Sequence, residues 1–228
     1  MATEIVLDTE TTGIDHKRGH RLIEIGCIEI EDLLPTGKSF HRYLDPEREI
    51  EADAIRIHGI TNEMVRGQAK FGHICDELTD FIGGRRIIAH NASFDRGFIN
   101  MEIERHGKTP PPDHQWLDTL EIARTKFPGM ANSLDALCKR FNISLAERDK
   151  HGALLDARLL AGVYLELLGG KERGLDLEIA SQRIVVTSAT SNNYGHRPRP
   201  LAPRLSPAEA AAHQSFVETY LKDKTLWR

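Results

Sequence analysis

Four acids and a histidine, set in three separated clusters, limit what this chain can fold into. They are Asp8 and Glu10 in Ile5-Val-Leu-Asp-Thr-Glu-Thr-Thr-Gly13, Asp95 in His90-Asn-Ala-Ser-Phe-Asp95, and His151 with Asp156 in His151-Gly-Ala-Leu-Leu-Asp156. Each acid sits in or beside apolar sequence, where an ionised carboxylate is costly unless something compensates it. A divalent cation supplies that compensation, because carboxylate oxygens are hard ligands suited to magnesium or manganese. The pattern points to metal-assisted phosphoryl chemistry.

Local geometry sharpens the reading. Ile5 to Glu10 is a short, mostly apolar stretch of buried-strand type. Side chains alternate along a strand, so Asp8 and Glu10 point the same way and one cation can touch both. Thr11, Thr12 and Gly13 then supply turn residues and backbone donors beyond the strand end. The stretch from Ala153 to Leu168 has helical periodicity, with Leu159, Leu160, Val163 and Leu167 on its apolar face. Asp156 falls in the middle of that stripe and faces the core, where it needs a metal, a proton or a distant partner. Asp95 lies near the start of another helical segment, marked by Phe94, Phe98 and Met101, with Ser93 as the expected N-cap.

Taken singly, these features have ordinary explanations. A D-x-E pair is common in a chain with 34 acids among 228 residues. An acid at a helix start usually serves as a cap, and a lone histidine in a glycine-containing turn is usually solvated. The combination, in this order and with each member in fitting local structure, favours a site over coincidence.

Asp8-Thr-Glu10-Thr-Thr-Gly13, His90-Asn-Ala-Ser-Phe-Asp95 and His151-Gly-Ala-Leu-Leu-Asp156 resemble the three motifs of the DEDDh 3′–5′ exonucleases. The likeness extends through Ile23-Glu-Ile-Gly26, Ile57-His-Gly-Ile-Thr61 and Asn132-Ser-Leu-Asp-Ala-Leu-Cys138. With the closing Leu226-Trp-Arg228, those details are similar to the epsilon proofreading subunits of bacterial DNA polymerase III. The match is close over about residues 4–170 and loose beyond.

The resemblance implies a ribonuclease H-like α/β fold: a mixed central sheet flanked by helices, with a flexible C-terminal tail. The chain's own pattern agrees. Ile5–Leu7, Leu22–Ile30 and Phe40–Leu44 read as three successive strands, a helical pattern follows over Ile74–Ile82, and Ile87–Ala89 reads as a further strand. Later helices are expected to begin near Asp118, which with Glu121 has capping-box spacing, and near Ser133. Strands first, then mostly helices, fit a sheet covered by helices.

Phosphodiester hydrolysis requires an activated water, a stabilised charged transition state and a neutralised leaving alkoxide. Two metal ions about 3.5–4 Å apart serve all three needs in such sites. Asp8, Glu10, Asp95 and Asp156 are the expected ligands of two Mg2+ or Mn2+ ions, with Asp8 the expected bridge. His151 is the candidate general base, because its unperturbed pKa lies near neutrality. By resemblance, Asp53 and His58 lie near the terminal nucleotide and Phe94 lies against its base. Asp53 stands where the family pattern leads one to expect glutamate.

The net charge is −4 and the pI about 6.3, which is not the profile of a strong autonomous nucleic-acid binder. A weakly gripping nuclease gains from being tethered to something that holds the duplex. Residues 1–170 read as the exonuclease domain and 171–205 as a linker. Within the linker, Glu172-Arg-Gly-Leu-Asp-Leu177 resembles a sliding-clamp docking peptide, with glutamate at the expected glutamine. Residues 206–228 read as a docking segment: Ser206-Pro-Ala-Glu209 offers an N-cap, a proline at the first helical position and a capping-box glutamate. The helix it starts carries Phe216, Val217, Tyr220 and Leu221, followed by Leu226 and Trp227, and is too small to bury them itself. The resemblance implies the polymerase III alpha subunit as its partner.

Cys27, Cys75 and Cys138 lack metal-type spacing, and no stretch is apolar and long enough to suggest a signal peptide or membrane span. A reduced, cytoplasmic setting without membrane attachment is expected. His16, His20 and His106 read as solvated loop residues. The reading is a metal-dependent 3′–5′ exodeoxyribonuclease that acts on a single-stranded 3′ end of DNA and releases nucleoside 5′-monophosphates. An RNA-trimming exonuclease of the same superfamily is the alternative among enzymes, and a nuclease-fold adaptor between clamp and polymerase is the alternative outside them.

Overall fold

The computed structural model describes residues 3–146, 151–170 and 206–221. The chain divides into two units, residues 1–176 and 177–228.

In the first unit, five strands form one sheet: β1 (Thr3–Thr11), β2 (Leu22–Glu31), β3 (Leu34–Tyr43), β4 (Arg86–Ala89) and β5 (Trp116–Asp118). Their spatial order is β3-β2-β1-β4-β5, antiparallel across the first three strands and parallel from β1 to β4 to β5. The β2–β3 connection is Asp32-Leu33, both at positive φ, which matches the twist of a tight hairpin. β3 begins at Leu34, six residues before the expected start at Phe40, because residues 34–39 form an exposed stretch without hydrophobic alternation. β5 is three half-buried residues, too short for periodicity to reveal.

Helices α1 (Ala52–His58), α2 (Asn62–Val65), α3 (Phe71–Ile82), α4 (Ala92–Arg105), α5 (Thr119–Lys126), α6 (Leu134–Arg140) and α7 (Ala153–Leu167) cover the sheet. Ile5 and Leu7 of β1 pack with Ile25 and Cys27 of β2 against Ile74 and Leu78 of α3 and Phe98 and Ile99 of α4. On the other face, Val6, Ile28, Ile30 and Ile88 meet Ala157, Leu160, Ala161 and Tyr164 of α7. A smaller cluster binds α5 and α6 to the outer side of α7 through Ala123, Leu137, Leu159 and Val163. The alternation of β1 therefore divides the core: odd positions serve α3 and α4, and even positions serve α7. Asp8 and Glu10 are even positions, so they share the face of α7.

Two expectations are corrected. Helix α4 starts at Ala92 with Asn91 as its N-cap residue, at φ 66, and not with Ser93, which is exposed. The chain turns directly from β4 into α4, and an asparagine in the left-handed region closes so short a turn. His20 is not solvated but 6% exposed, with Nδ1 3.1 Å from Thr12 Oγ1 and Nε2 3.2 Å from Glu51 Oε1. Asp118 and Ser133 cap α5 and α6 as expected, accepting from the N–H groups of Leu120 and Ala136.

The described part of the second unit is α8 (Pro207–Phe216), continued by a wider turn over Val217–Leu221. Ser206 and Glu209 form the expected reciprocal capping box with Pro207 in the first turn. Phe216 and Tyr220 stack at 5.1 Å and are 52% and 74% exposed. Among the described residues no helix is long and apolar enough to cross a membrane. The clamp-like Glu172–Leu177, the linker, and Leu226 and Trp227 lie outside the described residues.

The first turn of α7 crosses β2 at Gly26. A Cβ there would lie 2.3 Å from the Ala153 carbonyl carbon and the Leu154 nitrogen, which is backbone against backbone. Gly26→Ala is expected to push α7 off the sheet, at a cost of about 1–3 kcal/mol or more. Thermal unfolding of the variant checks this, and an unchanged Tm contradicts the packing.

Candidate active site

The site forms where β1, α4 and α7 bring their acids together. Asp8 and Glu10 come from β1, half-buried and on one face. Asp95 sits in the first turn of α4 and Asp156 in the first turn of α7, 3% and 2% exposed. Helix N-termini favour negative charge, so both helices present these acids where the backbone field suits them. His151 precedes α7 and is exposed, with Nδ1 3.1 Å from Asp156 Oδ2. Glu10, His151 and Asp156 each offer a ligand atom, and those atoms lie within 4.8 Å of one another. The Thr9 hydroxyl, on the opposite face of β1, donates to Asp95 Oδ1 at 2.7 Å and ties α4 to the strand.

Burial holds the Asp8 carboxyl well above the usual carboxylate range, and the charges of Asp95, Glu10, Asp156 and Glu24 raise it further. Burial likewise pushes Asp95 up to about 7, against the lowering effect of the Thr9 hydroxyl. The same field reaches two thiols. Cys27 is raised by burial, then by Asp95 and Asp8, and Cys138 is raised to about 11 by burial and then Asp156. Carboxyls whose proton affinity is driven up by burial, and at Asp8 also by neighbouring acids, must hold protons or bind a cation. All the named oxygens are hard donors, which fits a divalent ion of the magnesium or manganese type.

The residues expected to touch substrate take varied positions. Thr11 and Thr12 are buried, and Gly13 follows them: the Thr11 hydroxyl donates to the Gly13 carbonyl at 2.7 Å, and Thr12 Oγ1 accepts from Arg21 N–H at 3.0 Å. Gly13 has His20 against it, where a Cβ would come within 2.4 Å of the ring, so the close approach requires glycine. Asp53 is exposed on α1 and paired with Arg56 one turn on. His58 closes α1, buried, its Nδ1 accepting from Ile60 N–H at 3.0 Å. Phe94 is half-buried beside Asp95, with its ring 5.0 Å from that of Phe98.

Three supporting residues were not singled out as site residues by sequence reasoning. His90 spans two connections, with Nδ1 2.9 Å from Thr119 Oγ1 and Nε2 2.9 Å from the Asn132 carbonyl, and burial lowers its pKa, so the ring stays neutral. Asp118 caps α5 and also accepts from Asn91 N–H at 2.9 Å, fixing the turn that delivers Asp95. Glu24 of β2 is 2% exposed and adds its charge to the site. The available signal was an acid, Glu24, alternating with core residues in Ile23-Glu-Ile.

A mixed sheet with acids converging from a central strand and two helix N-termini defines a metal-dependent exonuclease of ribonuclease H-like fold. Comparison with known proteins bears this out. The profile of the RNase T exonuclease family matches residues 5–164. The chain is 39% identical over 224 residues to DNA polymerase III subunit epsilon of Rickettsia conorii, covering 96% of each protein. It is 39% identical over 238 residues to that of Salmonella typhimurium, covering 100% of this chain and 98% of the other, and 43% identical over 178 residues to that of Escherichia coli, covering 75% and 73%. Among solved structures, exonuclease X in complex with 5′-overhanging duplex DNA matches with a TM-score of 0.57 and 27% identity, over 72% of this chain and 90% of that one. Exonuclease I, at 18% identity and a TM-score of 0.64, shares the fold over 74% of this chain and 41% of its own. The chain belongs to the DNA polymerase III epsilon-subunit family of 3′–5′ exonucleases.

The raised carboxyls set a pH dependence. In metal-free protein Asp95 keeps its proton up to about pH 7, whereas the unfolded chain releases it at about pH 4. Between those values the native state binds more protons, so its stability falls as pH rises. In EDTA, Tm is expected to decline from pH 5 to pH 8, less steeply in Asp95→Asn, and Mg2+ or Mn2+ is expected to restore it at pH 8 but not to raise it at pH 5. A Tm insensitive to both pH and metal contradicts the electrostatics.

Proposed function

We propose that this protein is the proofreading exonuclease of a DNA polymerase III, removing nucleotides from a single-stranded 3′ end of DNA by two-metal hydrolysis. The observation that carries the reading is the convergence of Asp8, Glu10, Asp95 and Asp156 from three elements, with His151 3.1 Å from the last of them. The four carboxylates would hold two divalent cations, Mg2+ or Mn2+. Bound there, the cations supply a water of lowered pKa and neutralise charge on the attacking and leaving oxygens.

The protein's own residues do the rest. With Nδ1–H donated to Asp156, the neutral His151 ring carries its lone pair on Nε2. That nitrogen takes the proton as the water oxygen bonds to phosphorus and the bond to the 3′ oxygen breaks; Asp156 steadies the imidazolium that forms, the departing 3′ oxygen takes a proton from solvent water, and His151 then releases its own to solvent. The products are a nucleoside 5′-monophosphate and a strand one residue shorter with a new 3′-hydroxyl. In this reading Thr11, Thr12 and Gly13 lie against the terminal nucleotide, the Thr12 N–H being already given to the Arg21 carbonyl at 2.9 Å, Asp53 and His58 flank it, and Phe94 lies against its base.

The organisation proposed beyond the site is an exonuclease domain over 1–170, a linker over 171–205, and a segment over 206–228 that docks on the polymerase alpha subunit. The capping box of α8 and the exposed Phe216 and Tyr220 support a helix built to meet a partner. Clamp contact through Glu172 to Leu177 belongs to the same proposal. Three buried free thiols suit a cytoplasmic protein.

Digestion of 5′-labelled single-stranded DNA and matched RNA with magnesium or manganese tests this. DNA is expected to shorten from the 3′ end, with activity lost in EDTA and in Asp8→Ala. His151→Ala is expected to lower kcat by about 10²–10⁴-fold, the range for loss of a general base. Preference for RNA supports a trimming enzyme, and cleavage of neither substrate supports an adaptor.

A further inference from the structure

Among the described residues, helix α7 begins without a side-chain cap of its own. Its N-cap residue is Gly152, which has no side chain to offer, and the first N–H groups of a helix need acceptors from somewhere. The acceptor is Glu24, on strand β2 and 129 positions away in sequence, whose Oε2 takes the Ala153 N–H at 3.1 Å. Its other oxygen, Oε1, lies 2.6 Å from His41 Nε2 on β3. The Tyr43 phenol also touches it, and burial and then Glu24 raise that phenol's pKa.

This carboxylate occupies a costly position. In the sheet register Glu10, Glu24 and Tyr43 lie side by side across β1, β2 and β3, and the next row is Asp8, Gly26 and His41. Like charges directly opposite one another on antiparallel strands are destabilising, and Glu24 faces Glu10. It is also buried. The helix N-terminus, His41 and Tyr43 compensate it there. A residue whose only task was to fill the core would do so at lower cost without the charge.

The geometry points to a positioning role: Glu24 fixes the start of α7 so that His151, two residues before Ala153, and Asp156, three after it, stand correctly over Asp8 and Glu10. Gly26 complements it. The Ala153 backbone already rests on Gly26, so α7 cannot move toward the sheet, and Glu24 keeps it from moving away. The inference rests on the active-site reading above, in which His151 and Asp156 act on the scissile phosphodiester. A displacement on the order of 1 Å at such groups costs about 10²-fold in rate.

The test is steady-state hydrolysis of single-stranded DNA by full-length Glu24→Ala, Glu24→Gln and Glu24→Asp, each below its measured Tm. Glutamine keeps the reach and the acceptor for Ala153 N–H but loses the charge. Aspartate keeps the charge but falls one methylene short. The expected result is a kcat loss of about 10²-fold in Glu24→Ala, with KM for DNA little changed, a comparable loss in Glu24→Asp, and near-normal kcat in Glu24→Gln. Should Glu24→Ala not fold, the aspartate and glutamine variants decide alone. Wild-type kcat in Glu24→Asp, or a loss in Glu24→Gln as deep as in Glu24→Asp, overturns the inference. Asp8→Ala serves as the control: if it still cleaves at the wild-type rate, the active-site reading fails, whereas loss in Asp8→Ala with wild-type kcat in Glu24→Asp sinks only the role of Glu24.

Discussion

Carboxylates gathered where burial strips them of water are the constraint around which this fold is organised. Asp95 and Asp156 on two helices and Glu24 on a strand are buried, and Asp8 and Glu10 on the neighbouring strand stand half-buried beside them. The protein tolerates this with devices visible in the architecture. Two helix N-termini point at the acids, Thr9 donates to Asp95, and His41 lies against Glu24. These measures lower the cost without removing it, since Asp8 and Asp95 still hold their protons more tightly than ordinary carboxyls. A site left short of positive charge in this way is built to receive cations.

Much of this was legible in the sequence because the acids interrupt clean periodic patterns. Asp8 and Glu10 sit at the same phase of a strand, and Asp156 breaks the apolar stripe of a helix, so each exposes its own anomaly. The central strands, α7 and the caps at Asp118, Ser133 and Ser206 followed from alternation and capping chemistry. What stayed hidden depends on contacts distant in sequence. Nothing local to Gly152 shows that its helix is capped from β2, and nothing near His20 shows that Glu51 and Thr12 will enclose it. The start of β3 was missed because an exposed edge strand has no buried face to impose alternation, and β5 because three residues carry no period. Asn91 took the N-cap position from Ser93 because the β4–α4 turn is set by backbone closure, with Asp118 holding the asparagine N–H.

Glycines carry part of the design at two close approaches. Gly26 lets the backbone of α7 lie directly on β2, and Gly13 lets His20 close over the loop after β1. In both places the space saved draws the β1 end of the site toward the element that completes or supports it. The motifs therefore contain the acids together with the residues that let the elements bearing them approach. His90 and Asn132 belong to the same logic, joining two connections.

The central claim is that the four carboxylates form one cation site that holds two ions. Counting bound Mn2+ by electron paramagnetic resonance, as protein is titrated with the ion at neutral pH, tests it most directly. The account requires two ions per chain in the wild type and fewer in Asp8→Ala, whose side chain is the expected bridge. Absence of bound Mn2+, or a count unchanged by loss of Asp8, would contradict it.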